Sequence, residues 1–468
     1  MSETVPLTAE SSSLNPVSNA PPPRRYNPIS PRLSYWINVI RCWLTIIVID
    51  SHTTYSTYEY SSLLQVLIPN PFLAHGRAAV SLFFLFASIF STKTFFALYE
   101  KKTVSQFIVS FLFQFTKRYV QTHAVLLILG FGYLPFLYYM FGENGRDVYF
   151  TWRYYDHFWM SWFFPFFYKR RPEGVNHISG SGWFCQQLVN VEFVFYMLFF
   201  IGYFVKRLFK KYWAVIFLIM CGIVSFCVEG LVESRSCQYL RNYFMGVLFY
   251  QTRVWMCTTN SGRKLIDVMY RKDKLALTLR YVTSIFFIYL WLFMCRIYNN
   301  KTTHDTPAYF AHIPFSVFLL FDLIPFPKFT PFWQKVINEM SRLQMQIFLV
   351  HHPFLKEAGP RNFPYVSAIN QQIQENHTWI NMFSSWIYLL IFGMLSYPLW
   401  FMQRPLEVLP VWIKSVVDKS YKKDKQFKQN IILSFVGIIM GTILIAVAQS
   451  DVYGHDFVPA PPLWKDFQ

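Results

Sequence analysis

Apolar runs of membrane-crossing length recur between residues 33 and 449, and no other feature constrains the fold as much. A helix needs about 20 mainly apolar residues to cross a hydrocarbon core of ~30 Å, and its backbone must satisfy its own hydrogen bonds there. Hydrophobic residues make up 54% of the chain and aromatic residues 21%, an oily surface for a soluble protein. The expected fold class is therefore all-α, a polytopic transmembrane helical bundle of about 10–11 spans. The runs fall at 33–52, 78–98, 121–141, 188–205, 212–232, 239–256, 279–297, 308–327, 343–356, 380–402 and 431–449.

Charge orients these spans. Lys and Arg number 43 against 25 Asp and Glu, a net +18. In a soluble protein that balance raises nucleic acid as a partner, but no base-stacking or zinc motif is present and nucleic acid is set aside. The excess falls instead in short connections. With a cytosolic N-terminus, the connections after even-numbered spans carry Lys101, Lys102, Lys117 and Arg118, then Lys206 to Lys211, Arg263 to Lys274, Lys328 to Arg342, and Lys414 to Lys428. All five obey the positive-inside rule. The sequons at Asn300 and Asn376 fall in odd-numbered connections, on the lumenal or outer side where glycosylation occurs. The compartment expected is the endoplasmic reticulum or another secretory or plasma membrane.

Residues 1–32 are polar, rich in Ser and Pro, and lack the apolar core of a signal peptide, so a disordered cytosolic tail is expected. The connection 142–187 is aromatic, which fits a belt at the headgroup level or a lid over a site. The basic stretch before the last span is suited to anionic lipid heads, so membrane lipids are expected partners. The seven Cys show no paired metal spacing; a disulfide between Cys185 and Cys237 is left open. There is no internal repeat of the transporter kind, and oligomeric state is not legible.

Ionisable residues inside apolar runs are costly and usually functional. Arg41 and His52 both lie in the first run. Eleven steps at ~100° return to within ~20° of the start, so the two share one helix face, ~16 Å apart. Neutral imidazole at a membrane boundary can act as a general base toward a hydroxyl. A guanidinium on the inner half can hold a phosphate or thioester oxygen. Asp50, two residues from His52, points elsewhere. Glu192, early in the fourth span, needs a partner: it can orient His52, bind acceptor hydroxyls or pair with an Arg. His351 and His352 point about 100° apart, so one of them at most faces a shared cavity. Arg77, at the start of the second span, can bind an anion or anchor the boundary. No metal site, nucleophile elbow, phosphate loop or dinucleotide fingerprint appears.

The ordered set resembles the acyltransferase 3 family, integral membrane enzymes that move acyl groups, often acetyl, from acyl-CoA to hydroxyls. Arg41 and His52 match its Arg-x10-His element. Ala79-Val80-Ser81-Leu82-Phe83-Phe84 is similar to its second-helix run, and Lys117-Arg118 to the basic stretch after it. Val191 to Tyr196 resembles its Val-Glu-Glu-Gln-Phe-Tyr element, with Glu192 at the first acid. Arg241 to Gly246 looks like its Arg followed by Phe-x-x-Gly, with Phe244 one place off the usual spacing, Phe348 to Pro353 like Tyr-Leu-Val-His-x-Pro, and Gln403 to Glu407 like the closing segment. Asn38, Gln187 and Ala87-Ser88 depart from the family pattern at an Asp, a Trp and a Ser-Gly.

The resemblance implies an O-acyltransferase with acyl-CoA as co-substrate and no other cofactor, acting on a hydroxyl of a glycan, lipid or small metabolite. It implies catalytic roles for His52, Arg41 and Glu192 and substrate binding by Arg77, His351, Lys117 and Arg118. It implies a domain over 33–410; charge and hydropathy then add a basic cytosolic connection at 411–430, an extra helix at 431–449 and an outer tail at 450–468. The competing expectations are a non-catalytic lipid or small-molecule carrier, or an inactive relative. The early position of the Arg-His pair argues against the membrane-bound O-acyltransferases. The site is expected to be one continuous passage in which donor and acceptor meet from opposite sides.

Overall fold

The computed structural model describes residues 27–53, 76–101, 103–128, 182–231, 239–269, 273–299, 312–323, 328–352, 390–403, 408 and 415–416. All regular structure among them is helical: α1 (Pro31–Thr53), α2 (Gly76–Leu98), α3 (Val104–Ile128), α4 (Gly182–Phe209), α5 (Trp213–Leu231), α6 (Leu240–Thr258), α7 (Asn260–Met269), α8 (Lys274–Asn299), α9 (Ile313–Leu320), α10 (Pro331–His352) and α11 (390–403). Within the described residues, Pro31–Ile49, Ala78–Leu98, Gln187–Phe209 and Lys274–Met294 are long and apolar enough to cross a membrane, and Trp213–Val228 is a shorter apolar helix. The chain is a polytopic helical membrane protein, as the runs require. The last span, both sequons, the aromatic stretch 142–181, the C-terminal tail and the N-terminal tail up to residue 26 lie outside the described residues, as does Cys237. Cys185 carries a free thiol 3.6 Å from Met345 Sδ.

Helix α2 is the hub, packed against α1, α3, α4 and α6. Its closest approach is to α6. A Cβ on Gly246 would run into the Leu85 carbonyl oxygen and stand 2.6 Å from Ser88 Cβ, so the two backbones meet where only hydrogen fits. Ser88 donates a 2.5 Å hydrogen bond to the Tyr243 carbonyl across the same contact. The departure from the family glycine at this point is thus a serine that ties α2 to α6. Around the rim, α5 and α8 turn Ile219, Ile223, Leu279, Val282 and Ile285 outward, an apolar surface suited to lipid.

Polar contacts gather helix ends on one side. Lys206 Nζ lies 2.6 Å from Glu100 Oε1, joining the end of α4 to the end of α2. Arg253, near the end of α6 and 2% exposed, donates from Nε to the Pro28 carbonyl at 2.9 Å and from Nη1 to the Leu320 carbonyl at 3.0 Å. Arg32 Nε stands 3.9 Å from Asp322, and the Phe329 N–H donates to the Tyr35 hydroxyl at 3.2 Å. The start of α1, the ends of α2, α4, α6 and α9 and the start of α10 therefore share a face. These are the ends that the alternation of basic connections grouped together.

Three boundaries differ from the sequence reading. Helix α3 starts at Val104, so Lys117 and Arg118 stand inside a 25-residue helix rather than in a connection. Hydropathy had placed the span after the charges because it scores a cation as if it faced lipid. Here the protein interior receives it. Helix α10 likewise begins at Pro331 and contains Lys335 and Arg342, whose guanidinium pairs with Glu339 and covers the Trp400 ring at 4.2 Å. The apolar stretch 308–327 is not one continuous helix: α9 has eight residues and ends in a turn with Asp322 at φ 46. Arg253, Arg280 and Ser284 supply donors to the carbonyls freed there.

Candidate functional site

A charge in the hydrocarbon region persists only where another polar group meets it. Glu192, ten residues into α4, is 2% exposed. Arg118 Nε donates to both of its oxygens, at 3.0 and 3.1 Å, and Nη2 lies 3.0 Å from Oε1. Of the roles open to Glu192, the structure assigns pairing with an Arg. Tyr196, one turn along the same helix, stands beside it.

Arg118 of this pair lines a cavity of about 250 Å³ walled by α1, α2, α3, α4 and α10. Arg41, Lys117 and Arg118 line it, with Ser91, Thr94, Gln114, Gln121 and Gln344. Phenylalanines from α2, α4 and α10, with Ala87, Leu188, Tyr196 and Met345, make the rest of the wall. Three cations therefore face one space, and among the described residues Arg118 has its carboxylate partner in Glu192. Such a lining suits an elongated ligand with anionic groups and an apolar segment, since phosphates and carbonyls take the donors while the rings take the chain.

Two contacts fix the level of the remaining residues. Tyr35 meets Phe329 and Cys42 Sγ donates to the Ile337 carbonyl at 3.5 Å, so α1 and α10 run parallel with nearly constant register. Ten residues on from each, position 52 comes level with Ile347, one turn short of His351. Both histidine positions stand on the side away from the basic ends. The backbone of α1 carries Arg41 and His52 on one continuous helix, as the spacing requires. The side chains of His52, Arg77 and His352 lie outside the described residues.

His351 is fully buried, its Nδ1 3.2 Å from the Ile347 carbonyl and its ring 5.5 Å from Phe348. It does not line the cavity; Phe348 does. At that end the rings of Phe83, Phe184 and Phe348 pack against one another, with centroids 4.9 to 6.4 Å apart. These three rings form the wall at this end of the cavity; the continuation of the expected passage to His52 falls on side chains outside the described residues. The sequence reading did not single out Arg253, whose signal was the one used for Arg41: a guanidinium within an apolar run. It also passed over the three glutamines of the lining, which nothing local distinguishes.

These features define a helical membrane protein with a cation-lined interior cavity. The model of the acyltransferase domain characteristic of the acyltransferase 3 family matches residues 34–402, and the chain belongs to that family. No curated protein and no solved structure matches it. The matched span begins in α1 and closes in α11, so it takes in every helix that builds the cavity.

Proposed function

We propose that this protein transfers an acyl group from acyl-CoA to a hydroxyl of a glycan, lipid or small metabolite. The observation that carries the reading is the convergence of Arg41, Lys117 and Arg118 on one cavity inside an acyltransferase-family bundle. The donor enters from the basic side, taken as cytosolic, and its phosphates and thioester oxygen meet those cations. His52 serves as general base from the opposite side. It takes the proton of the acceptor hydroxyl as that oxygen attacks the thioester carbonyl. The new C–O bond replaces the C–S bond, and the departing thiolate receives the proton, leaving an ester and free CoA. Arg41 lies along the donor path and holds one of the donor's phosphates. Glu192 is a positioning residue that fixes the Arg118 guanidinium. Arg77 and His351 serve in substrate binding. The N-terminus is cytosolic, the membrane belongs to the endoplasmic reticulum or another secretory or plasma compartment, and Asn300 and Asn376 carry glycans on its far face.

The test compares metabolites and lipids of a deletion strain with those of a His52→Ala strain, alongside membranes supplied with labelled acetyl-CoA. The expected result is the same missing acyl ester in both strains and loss of transfer at normal expression. Undiminished transfer by His52→Ala would remove the mechanism. Transport of an unmodified lipid that survives this change would favour a carrier.

A further inference from the structure

The three rings at the far end of the cavity come from three different helices. Phe83 lies seven residues into α2, Phe184 two residues into α4 and Phe348 four residues before the end of α10. All three are nearly fully buried, and all three line the cavity. Phe184 meets Phe348 at 4.9 Å and Phe83 at 6.2 Å, and Phe83 meets Phe348 at 6.4 Å. Behind them stand Phe84, edge-on to Phe184 at 5.2 Å and stacked on Tyr239 at 4.4 Å, and the ring of His351. The triad is therefore backed by packed protein and cannot easily yield.

Its level matters as much as its rigidity. Along α2 the lining runs from Thr94, near the basic side, to Phe83, eleven residues or ~16 Å away. Arg41, Lys117 and Arg118 line the same space. Position 52 on α1 comes level with Ile347 on α10, one residue from Phe348. A donor that sets its phosphates on the cations and reaches toward position 52 brings its acyl end against these rings.

We infer that Phe83, Phe184 and Phe348 form the acyl subsite and set the longest acyl chain the protein accepts. The inference rests on the proposed acyl-CoA reading and adds the selectivity of that site. Rigid rings on three sides admit a short acyl group and exclude a long one. Trimming a ring opens space bounded by apolar walls, where each further methylene buried gains about fourfold in affinity.

The experiment uses full-length protein in proteoliposomes and non-transferable thioether analogues of acetyl-, butyryl-, hexanoyl- and octanoyl-CoA, with binding of each measured directly. The wild type should bind the acetyl and butyryl analogues best. Phe184→Ala and Phe348→Ala should raise the hexanoyl-to-acetyl affinity ratio about 10-fold or more, and Phe184→Trp should lower the butyryl-to-acetyl ratio. Phe95→Ala, toward the other end of the lining, should leave the ratios unchanged. If an alanine variant fails gel filtration, Phe184→Leu and Phe184→Trp decide by shifting the ratio in opposite directions. An unchanged length profile in folded variants overturns the acyl subsite while leaving the acyl-CoA reading intact. No binding of any analogue by the wild type overturns that reading and the subsite with it.

Discussion

Replacing Arg118 should destabilise the bundle more than replacing Glu192, although the two share one ion pair. The asymmetry comes from where each group would be left. With Arg118→Ala, Glu192 keeps a carboxylate whose side chain is 3% exposed, with its guanidinium donors gone. Breaking a buried pair in this way costs about 3–5 kcal/mol, because the surviving charge stays desolvated or must take up a proton. With Glu192→Ala, the guanidinium left behind is 35% exposed to the cavity, where water can reach it. Its penalty falls to about 1–2 kcal/mol, between the buried and surface cases. Removing both charges as Arg118→Ala with Glu192→Ala should cost less than the sum of the single losses, a coupling of about 2 kcal/mol between the sites. Denaturant titration of the four proteins in mixed micelles, followed by tryptophan fluorescence, measures all three quantities. Additive single losses, or a larger loss for Glu192→Ala than for Arg118→Ala, would refute the reasoning.

Gly246→Ala should lower stability by about 1–3 kcal/mol, read as a drop in melting temperature by size-exclusion assay, because the added methyl meets the α2 backbone rather than a movable side-chain tip. Arg253→Met should cost about 2–4 kcal/mol and expose the N-terminal end of α1 to limited proteolysis, since the Pro28 and Leu320 carbonyls lose their donor. Glu100→Gln should change stability by less than about 0.5 kcal/mol in the same melting assay, although its contact to Lys206 is short, because Glu100 is 77% exposed.

How far the sequence discloses this site depends on how local each relation is. Arg41 and His52 share a helix because eleven residues fit three turns, and that arithmetic needs no tertiary structure. The sidedness of the helix ends was equally legible, because basic residues mark it connection by connection. Lys117 and Arg118 were misplaced for the reason that makes them interesting. A hydropathy profile assumes that every side chain of a span meets lipid, and these meet a cavity and Glu192, 74 residues away. The break after α9 was hidden too, since Phe318 to Leu323 reads as apolar apart from Asp322. Donors of Arg253, Arg280 and Ser284, brought in from other helices, make a turn tolerable there. The aromatic triad is likewise a product of three distant segments in a chain with 51 Phe, where no single ring announces itself.

The parallel contact of α1 with α10 also dictates an order of events during biogenesis. Cys42 leaves the ribosome 295 residues before its partner Ile337. At elongation rates of 5–20 residues per second, that gap lasts roughly 15–60 s. Throughout it, Arg41 already resides in the bilayer while the wall that will shelter it has yet to be translated. Nascent chains of this protein should therefore depend on the insertion machinery or a membrane chaperone to shield that arginine, and a chain truncated before α10 should be a substrate for quality-control proteolysis.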